Sequence, residues 1–122
     1  MKLIKQNING CYKIENEVFK DKRGLFFECI NEKILNKLSV ARIDQTNISK
    51  SHYGVFRGFH YQVEEQLTQF VTCIKGEVLD FALDIRKDSS TFGNVVEAKL
   101  SEENHHTLYL PPGLAHAFLS VS

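Results

Sequence analysis

Two histidines and an arginine carry most of the chemistry that a first reading of this chain finds. His60 lies in RGFHYQ, residues 57–62, three positions after Arg57, and His116 lies in PPGLAH, residues 111–116. An imidazole has an unperturbed pKa of about 6.5, so near pH 7 it is largely neutral and able to take a proton. A guanidinium presents a planar fork of donors that grips a diphosphate through two oxygens at once. A base and an anion anchor on one stretch of backbone suit a site that holds an anionic ligand and moves a proton on it. Two imidazoles alone make a poor divalent site, because catalytic metals usually have three protein ligands. The pocket is therefore read as metal-free, with Glu64 and Glu65 keeping a three-ligand metal site as the alternative.

These side chains have to be positioned by short strands. The sequence has 122 residues, 43% of them hydrophobic, which suffices for one modest core and a single domain over residues 1–122. Strand-like runs recur at GCYKIENEVF, GLFFECI, ARIDQTNIS, GVFRGFHYQ, NVVEAKL and HHTLYLP, separated by DKRG, KDSSTFG and SEEN. The stretch QFVTCIKGEVLDFALDIR, residues 69–86, reads as a β-hairpin turning at Lys75 and Gly76. In its second arm Leu79, Phe81, Leu83 and Ile85 share one face, while Val78, Asp80, Ala82, Asp84 and Arg86 share the other. Only residues 31–39 read as helical. Many short strands with frequent turns predict an all-β antiparallel sandwich or barrel, whose mouth is the natural ligand pocket. Arg23, Gln45 and Asn47 lie in polar stretches that a purely structural barrel has little reason to turn inward.

Lys plus Arg and Asp plus Glu each number 15, giving a net charge of zero. No global field gathers nucleic acid or an anionic membrane, so neither is expected as a partner. Cys11, Cys29 and Cys73 are odd in number and lack CxxC spacing, which predicts buried thiols. The N-terminal MKLIKQNING has no apolar run of signal-peptide length, and a cytoplasmic protein is expected.

G-x5-H at residues 54–60 and P-x-G-x-x-H at residues 111–116 resemble the two motifs of the cupin superfamily. A metal-binding cupin normally continues the first as H-x-H with a glutamate a few residues on, where this chain has Tyr61, Gln62, Gln66 and Leu67. The full motif order is more specific. D-x-R-G-x-F-x-E at 21–28, Q-x-N-x-S-x-S at 45–51, R-G-x-H-Y-Q at 57–62, G-E-V-x-D-x-x-x-D-I-R at 76–86, S-x-T-F-G at 89–93 and P-x-G-x-A-H at 111–116 follow one another as in the dTDP-4-dehydrorhamnose 3,5-epimerases. The resemblance implies a cupin-type antiparallel jelly roll with one short helix. It implies a homodimer that epimerises C3 and/or C5 of a dTDP-4-keto-6-deoxy-hexose, in rhamnose-type deoxysugar biosynthesis, with no cofactor. His60 then matches the proton acceptor, and His116 a substrate-contacting histidine. Arg23, Glu28, Gln45, Asn47 and Arg57 match positions that hold the nucleotide sugar. Phe26 is either a thymine-stacking residue, on a hairpin that reaches into the neighbouring subunit's site, or ordinary core. Strand alternation would put Arg57 and His60 on opposite faces, so a bulge at Gly58 is expected.

The chain departs from that family pattern in two places. Gln69 stands where the family has a lysine that stabilises charge on the C4 oxygen, and it brings a hydrogen-bond donor without a charge. Family sequences also continue beyond the position of Ser122, through the tyrosine that donates the second proton and a carboxylate that orients the base. Asp84 is a candidate substitute for that carboxylate, weighed against a merely solvated aspartate. The alternatives to an active epimerase are a weak or inactive nucleotide-sugar-binding cupin and a metal-dependent cupin.

Overall fold

In a computed structural model that describes residues 1–64 and 66–122, the chain folds into short strands and one short helix. In chain order these are β1 (Lys2–Lys5), β2 (Tyr12–Glu15), β3 (Val18–Asp21), β4 (Gly24–Phe27), α1 (Glu32–Lys37), β5 (Phe56–His60), β6 (Gln69–Thr72), β7 (Glu77–Asp84), β8 (Val95–Ser101), β9 (His106–Leu110) and β10 (Leu114–Ser120). Two antiparallel four-stranded sheets, ordered β1-β2-β9-β6 and β5-β10-β7-β8, face each other, and β3 and β4 form a separate hairpin. This is the cupin-type jelly roll that the sequence predicts. Ala82, Val96, Leu100, Leu108, Leu110 and Leu114 fill the space between the sheets. Glu65, one of the two alternative metal ligands, lies outside the described residues.

The predicted hairpin over 69–86 does not form. β6 pairs with β9 in the first sheet and β7 pairs with β10 and β8 in the second, so the Lys75-Gly76 turn carries the chain from one sheet to the other. Gly76 does take the positive φ expected of it, at 79°. Its N–H bonds to the Glu102 carboxylate, and Glu102 N–H returns a bond to the Gly76 carbonyl, tying this crossover to the β8–β9 turn. Two alternating runs around a glycine read alike whether they pair with each other or face each other across a core; here Val71 and Val78 both pack on the core from opposite sheets.

Hydropathy alone would turn the apolar 79–85 face of β7 into the core, and the structure does the reverse. Asp80, Ala82 and Asp84 point into the sandwich and are buried, whereas Leu79, Phe81, Leu83 and Ile85 are only half-buried on the outside. The interior accepts the two aspartates because each meets a charged or protic partner there, described below.

The outer face of the first sheet is covered. Ile14, Tyr109 and Phe70 pack against Ile34 and Leu38, so α1 forms a third layer. Asn31 caps this helix, its Oδ1 accepting from Ile34 N at 3.0 Å, with Glu32 in the first turn and Lys37 in the last complementing the helix dipole. The expected run GCYKIENEVF divides into β2 and β3 at Asn16, whose Nδ2 donates to the His105 carbonyl (2.7 Å) and to Thr107 Oγ1 (3.0 Å). Residues 41–49, expected as a strand, are exposed and join neither sheet. The last strand, β10, carries His116 and lies at the centre of its sheet; alternation alone did not single it out because both of its faces are rich in apolar residues.

Candidate active site

β5 and β10 run antiparallel as neighbours, with His60 directly opposite His116. His116 is in turn opposite Ala82 of β7, a core residue, so this face of the sheet looks into the sandwich. Between His60 and Arg57 the register slips: His116 pairs with His60, but Phe118, two residues on, pairs with Arg57, three residues back. One extra residue on β5 is a bulge, and it puts Arg57 and His60 on the same inner face. Gly58 permits it. Its φ is 129°, and a Cβ there would lie 2.5 Å from the Ala117 Cβ and 2.7 Å from the His116 carbonyl oxygen.

Behind His116 lies a partner that the sequence reading did not assign. His116 Nε2 and Asp80 Oδ1 are 2.7 Å apart, with Asp80 wholly buried. Burial raises the Asp80 pKa, and the hydrogen bond and charge of His116 act against that rise. An ionised carboxylate only accepts hydrogen bonds, so Nε2 carries the hydrogen of this pair and Nδ1 is left for a ligand. Among the described residues the second oxygen, Oδ2, has no hydrogen-bond partner. The alternation of β7 put Asp80 on the Ala82 face, but a strand's own pattern does not say that His116 of the neighbouring strand stands opposite that face. Nearby Cys11 is buried, and desolvation with the Asp80 charge pushes its thiol up to about 12, leaving it an inert core residue.

Asp84, the candidate orienter of His60, is committed elsewhere. Its oxygens accept from Arg86 Nε (3.0 Å), Arg86 Nη2 (3.0 Å), Ser89 Oγ (2.6 Å) and Thr91 Oγ1 (2.6 Å). Burial alone would raise this carboxyl's pKa, but the donors outweigh it and hold the group well below the usual carboxylate range. Arg86 Nη2 also donates to the Asn9 carbonyl at 2.8 Å, so D-I-R and S-x-T-F-G together form a structural lock on the 86–93 loop.

Gln69 opens β6 opposite Leu110, a core residue, and therefore faces inward from the opposing sheet. The chain thus gathers His60, His116, Arg57 and Gln69 on the two inner faces. Arg57 Nε donates to Ser51 Oγ at 3.0 Å, which sets the end of the Q-x-N-x-S-x-S segment against the site. Gln45 and Asn47 are exposed and bonded to each other at 2.9 Å. Arg23, Phe26 and Glu28 are not brought in. Arg23 is paired with Asp21 at 2.6 Å, Glu28 accepts from Asn31 at 2.9 Å, and Phe26 is 62% exposed on a hairpin that touches the body where Phe27 meets His105, ring centroids 4.9 Å apart. A cleft of about 820 Å³ lies past the end of β5, lined by Asn9, Tyr61, Gln62, Arg86 and Ser90, and contains neither histidine. Chemistry rather than volume marks the candidate site.

The family model for dTDP-4-dehydrorhamnose 3,5-epimerase matches residues 5–122. The chain belongs to this family. It is 43% identical to the dTDP-4-dehydrorhamnose 3,5-epimerase of Methanothermobacter thermautotrophicus, over 99% of this chain and 66% of that protein. It is likewise 43% identical to that of Shigella flexneri, over 100% of this chain and 69% of the relative. Among solved structures, the dTDP-6-deoxy-D-glucose-3,5-epimerase of Legionella pneumophila in complex with dTDP-4-keto-L-rhamnose superposes with a TM-score of 0.95 at 38% identity, over 99% of this chain and 65% of that one. The chain spans about two thirds of the length of these family members.

Proposed function

We propose that this chain is an epimerase of dTDP-4-keto-6-deoxy-hexoses, acting at C3, C5 or both, in rhamnose-type deoxysugar biosynthesis. The observation that carries the reading is the Gly58 bulge, which puts a base and a guanidinium on one inner face opposite an aspartate-backed histidine. The ketone at C4 acidifies the hydrogens on C3 and C5. His60 takes one of them, the electron pair moves onto the C4 oxygen as an enolate, and reprotonation of the carbon from the opposite face inverts the centre. Gln69 from the facing sheet donates a hydrogen bond to that oxygen, and His116, fixed by Asp80, contacts the sugar through Nδ1. Arg57 holds the diphosphate, with Gln45 and Asn47 alongside it. The reaction needs no metal, nicotinamide or other cofactor.

In this reading the 122 residues form one domain, and the protein is a cytoplasmic homodimer that binds neither nucleic acid nor membrane. Arg23, Phe26 and Glu28, remote from His60 within one chain, serve the site of a second copy through the β3–β4 hairpin. Among the described residues no helix is long and apolar enough to cross a membrane. One observation favours the alternative of a binder with weak turnover: Gln69 supplies no positive charge where the negative charge develops. Incubation with dTDP-4-keto-6-deoxyglucose in deuterated water separates the two readings. The enzyme labels C3 or C5, and the binder holds the sugar without labelling it.

A further inference from the structure

The sequence holds one Asn-Gly step, Asn9-Gly10. Every other asparagine is followed by Ile, Glu, Lys, Val or His, whose side chain crowds its own backbone nitrogen; Gly10 leaves that nitrogen open to attack. The two residues are exposed at the centre of a turn over residues 8–11, closed by Cys11 N donating to the Ile8 carbonyl at 3.1 Å, with Gly10 at φ 82°. Four bonds hold this turn against the 86–94 loop. Asn94 Nδ2 donates to the Asn7 carbonyl (2.7 Å), Asn9 N to Thr91 Oγ1 (3.1 Å), Asn9 Nδ2 to Ser90 Oγ (2.5 Å) and Arg86 Nη2 to the Asn9 carbonyl (2.8 Å). Among the described residues the Gly10 N–H has no hydrogen-bond partner.

Two of these contacts fall on the atoms that an asparagine uses when it cyclises. The Asn9 carbonyl belongs to the same peptide unit as the Gly10 N–H, so the guanidinium on its oxygen stabilises the anion left when that N–H loses its proton. Ser90 Oγ lies within hydrogen-bond reach of Nδ2, the atom that must leave with an added proton. We propose that Asn9 is a self-modification site, converted through a cyclic imide with Gly10 to aspartate and isoaspartate. Solvent hydroxide takes the Gly10 proton, and the nitrogen forms a bond to Asn9 Cγ. The Cγ–Nδ2 bond breaks as Nδ2 takes a proton from the Ser90 hydroxyl and departs as ammonia, and water restores the Ser90 proton. Water then adds to one of the two imide carbonyls. Opening at Cγ gives aspartate; opening at the main-chain carbonyl carbon gives isoaspartate, whose backbone is longer by one methylene. That longer backbone cannot keep its N–H on Thr91 and its carbonyl on Arg86 together. Both residues are donors to Asp84, so isoaspartate at this position loosens the lock on the loop that walls the cleft past β5. The inference rests on the turn and holds whether or not the chain turns over a sugar.

Storage of the folded 122-residue chain in mildly alkaline buffer tests it, with peptide mapping by mass spectrometry and methyl transfer by a protein-isoaspartate methyltransferase as readouts. The peptide that carries Asn9 is expected to lose the mass of ammonia and then gain that of water. Conversion is expected to be at least about tenfold faster in the folded chain than in urea, where the contacts of Arg86 and Ser90 are gone. Ser90→Ala, at an exposed position, is expected to slow it several-fold, and Gly10→Ala to suppress it. Ser90→Ala reads the proposal even where Gly10→Ala, at a positive φ, disturbs the turn. An Asn9 that persists in the folded chain overturns the proposal, as does conversion that is no slower in urea or in Ser90→Ala. The isoaspartate form, separated by ion exchange, is expected to have a lower urea midpoint than Asn9→Asp, which carries the same new charge on an ordinary backbone. Equal midpoints overturn the effect on the lock.

Discussion

At the scale of single residues, Gly58 decides whether a base and an anion anchor can share one strand. A side chain there meets both a positive φ and backbone atoms of β10 that cannot swing away. Gly58→Ala is therefore expected to cost about 2 kcal/mol or more in chemical denaturation. A change within about 0.5 kcal/mol would mean that β5 reaches its register without the bulge. The requirement for a bulge was legible in the sequence, because Arg57 and His60 stand three apart where alternation needs an even spacing. The same alternation grouped Asp80 with Ala82 and Asp84, but its role was not legible, because nothing in one strand's pattern says which side chain the neighbouring strand sets against it. Asp84 shows the converse: its charge suggested a functional carboxylate, and the hydroxyls of Ser89 and Thr91, a few residues on, claim it instead.

At the scale of elements, the Asp84 lock predicts a pH dependence with a definite sign. Its native pKa lies below the unfolded value of about 3.9, so its stabilisation is fully present above that pH and is lost as the pH falls through the native pKa. Asp84→Asn is expected to destabilise the fold by about 3 kcal/mol at neutral pH and to flatten the loss of stability below about pH 4. Urea midpoints measured from pH 7 down to pH 3 check both; parallel curves for the two proteins would show that the carboxylate is not the linked group. The helix depends on a smaller local device. Asn31→Ala removes the side-chain bond to Ile34 N–H and is expected to cost about 1 kcal/mol, read from the same titration. Most elements could be read from alternation and turn residues. The pairing of β6 and β7 could not, because register partners are chosen by the whole sheet and not by the turn that joins two runs.

At the scale of the whole molecule, the two sheets do different work. One is padded by a helix, and the other carries His60 and His116 on its inner face and an apolar surface on its outer one. The all-β class and the strand that bears His60 were foreseeable from composition and spacing, whereas β10, which bears His116, was not among the expected strands. Which side of β7 faces the core was not foreseeable either, since hydropathy favours the face with the larger apolar side chains and the interior here takes Ala82 with two partnered aspartates instead. The central claim is that His60 is the base and Arg57 the anchor. The measurement that tests it most directly is deuterium incorporation at C3 and C5 of dTDP-4-keto-6-deoxyglucose, followed by NMR for the wild type, His60→Ala and Arg57→Ala, with dTDP affinity measured alongside. The account predicts labelling by the wild type and its loss in His60→Ala with affinity held within a few-fold. It predicts weakened binding, by about tenfold or more, in Arg57→Ala, as when one charged hydrogen-bonding partner is lost. Labelling that persists in His60→Ala, or the same loss of affinity in both variants, would contradict the division of roles.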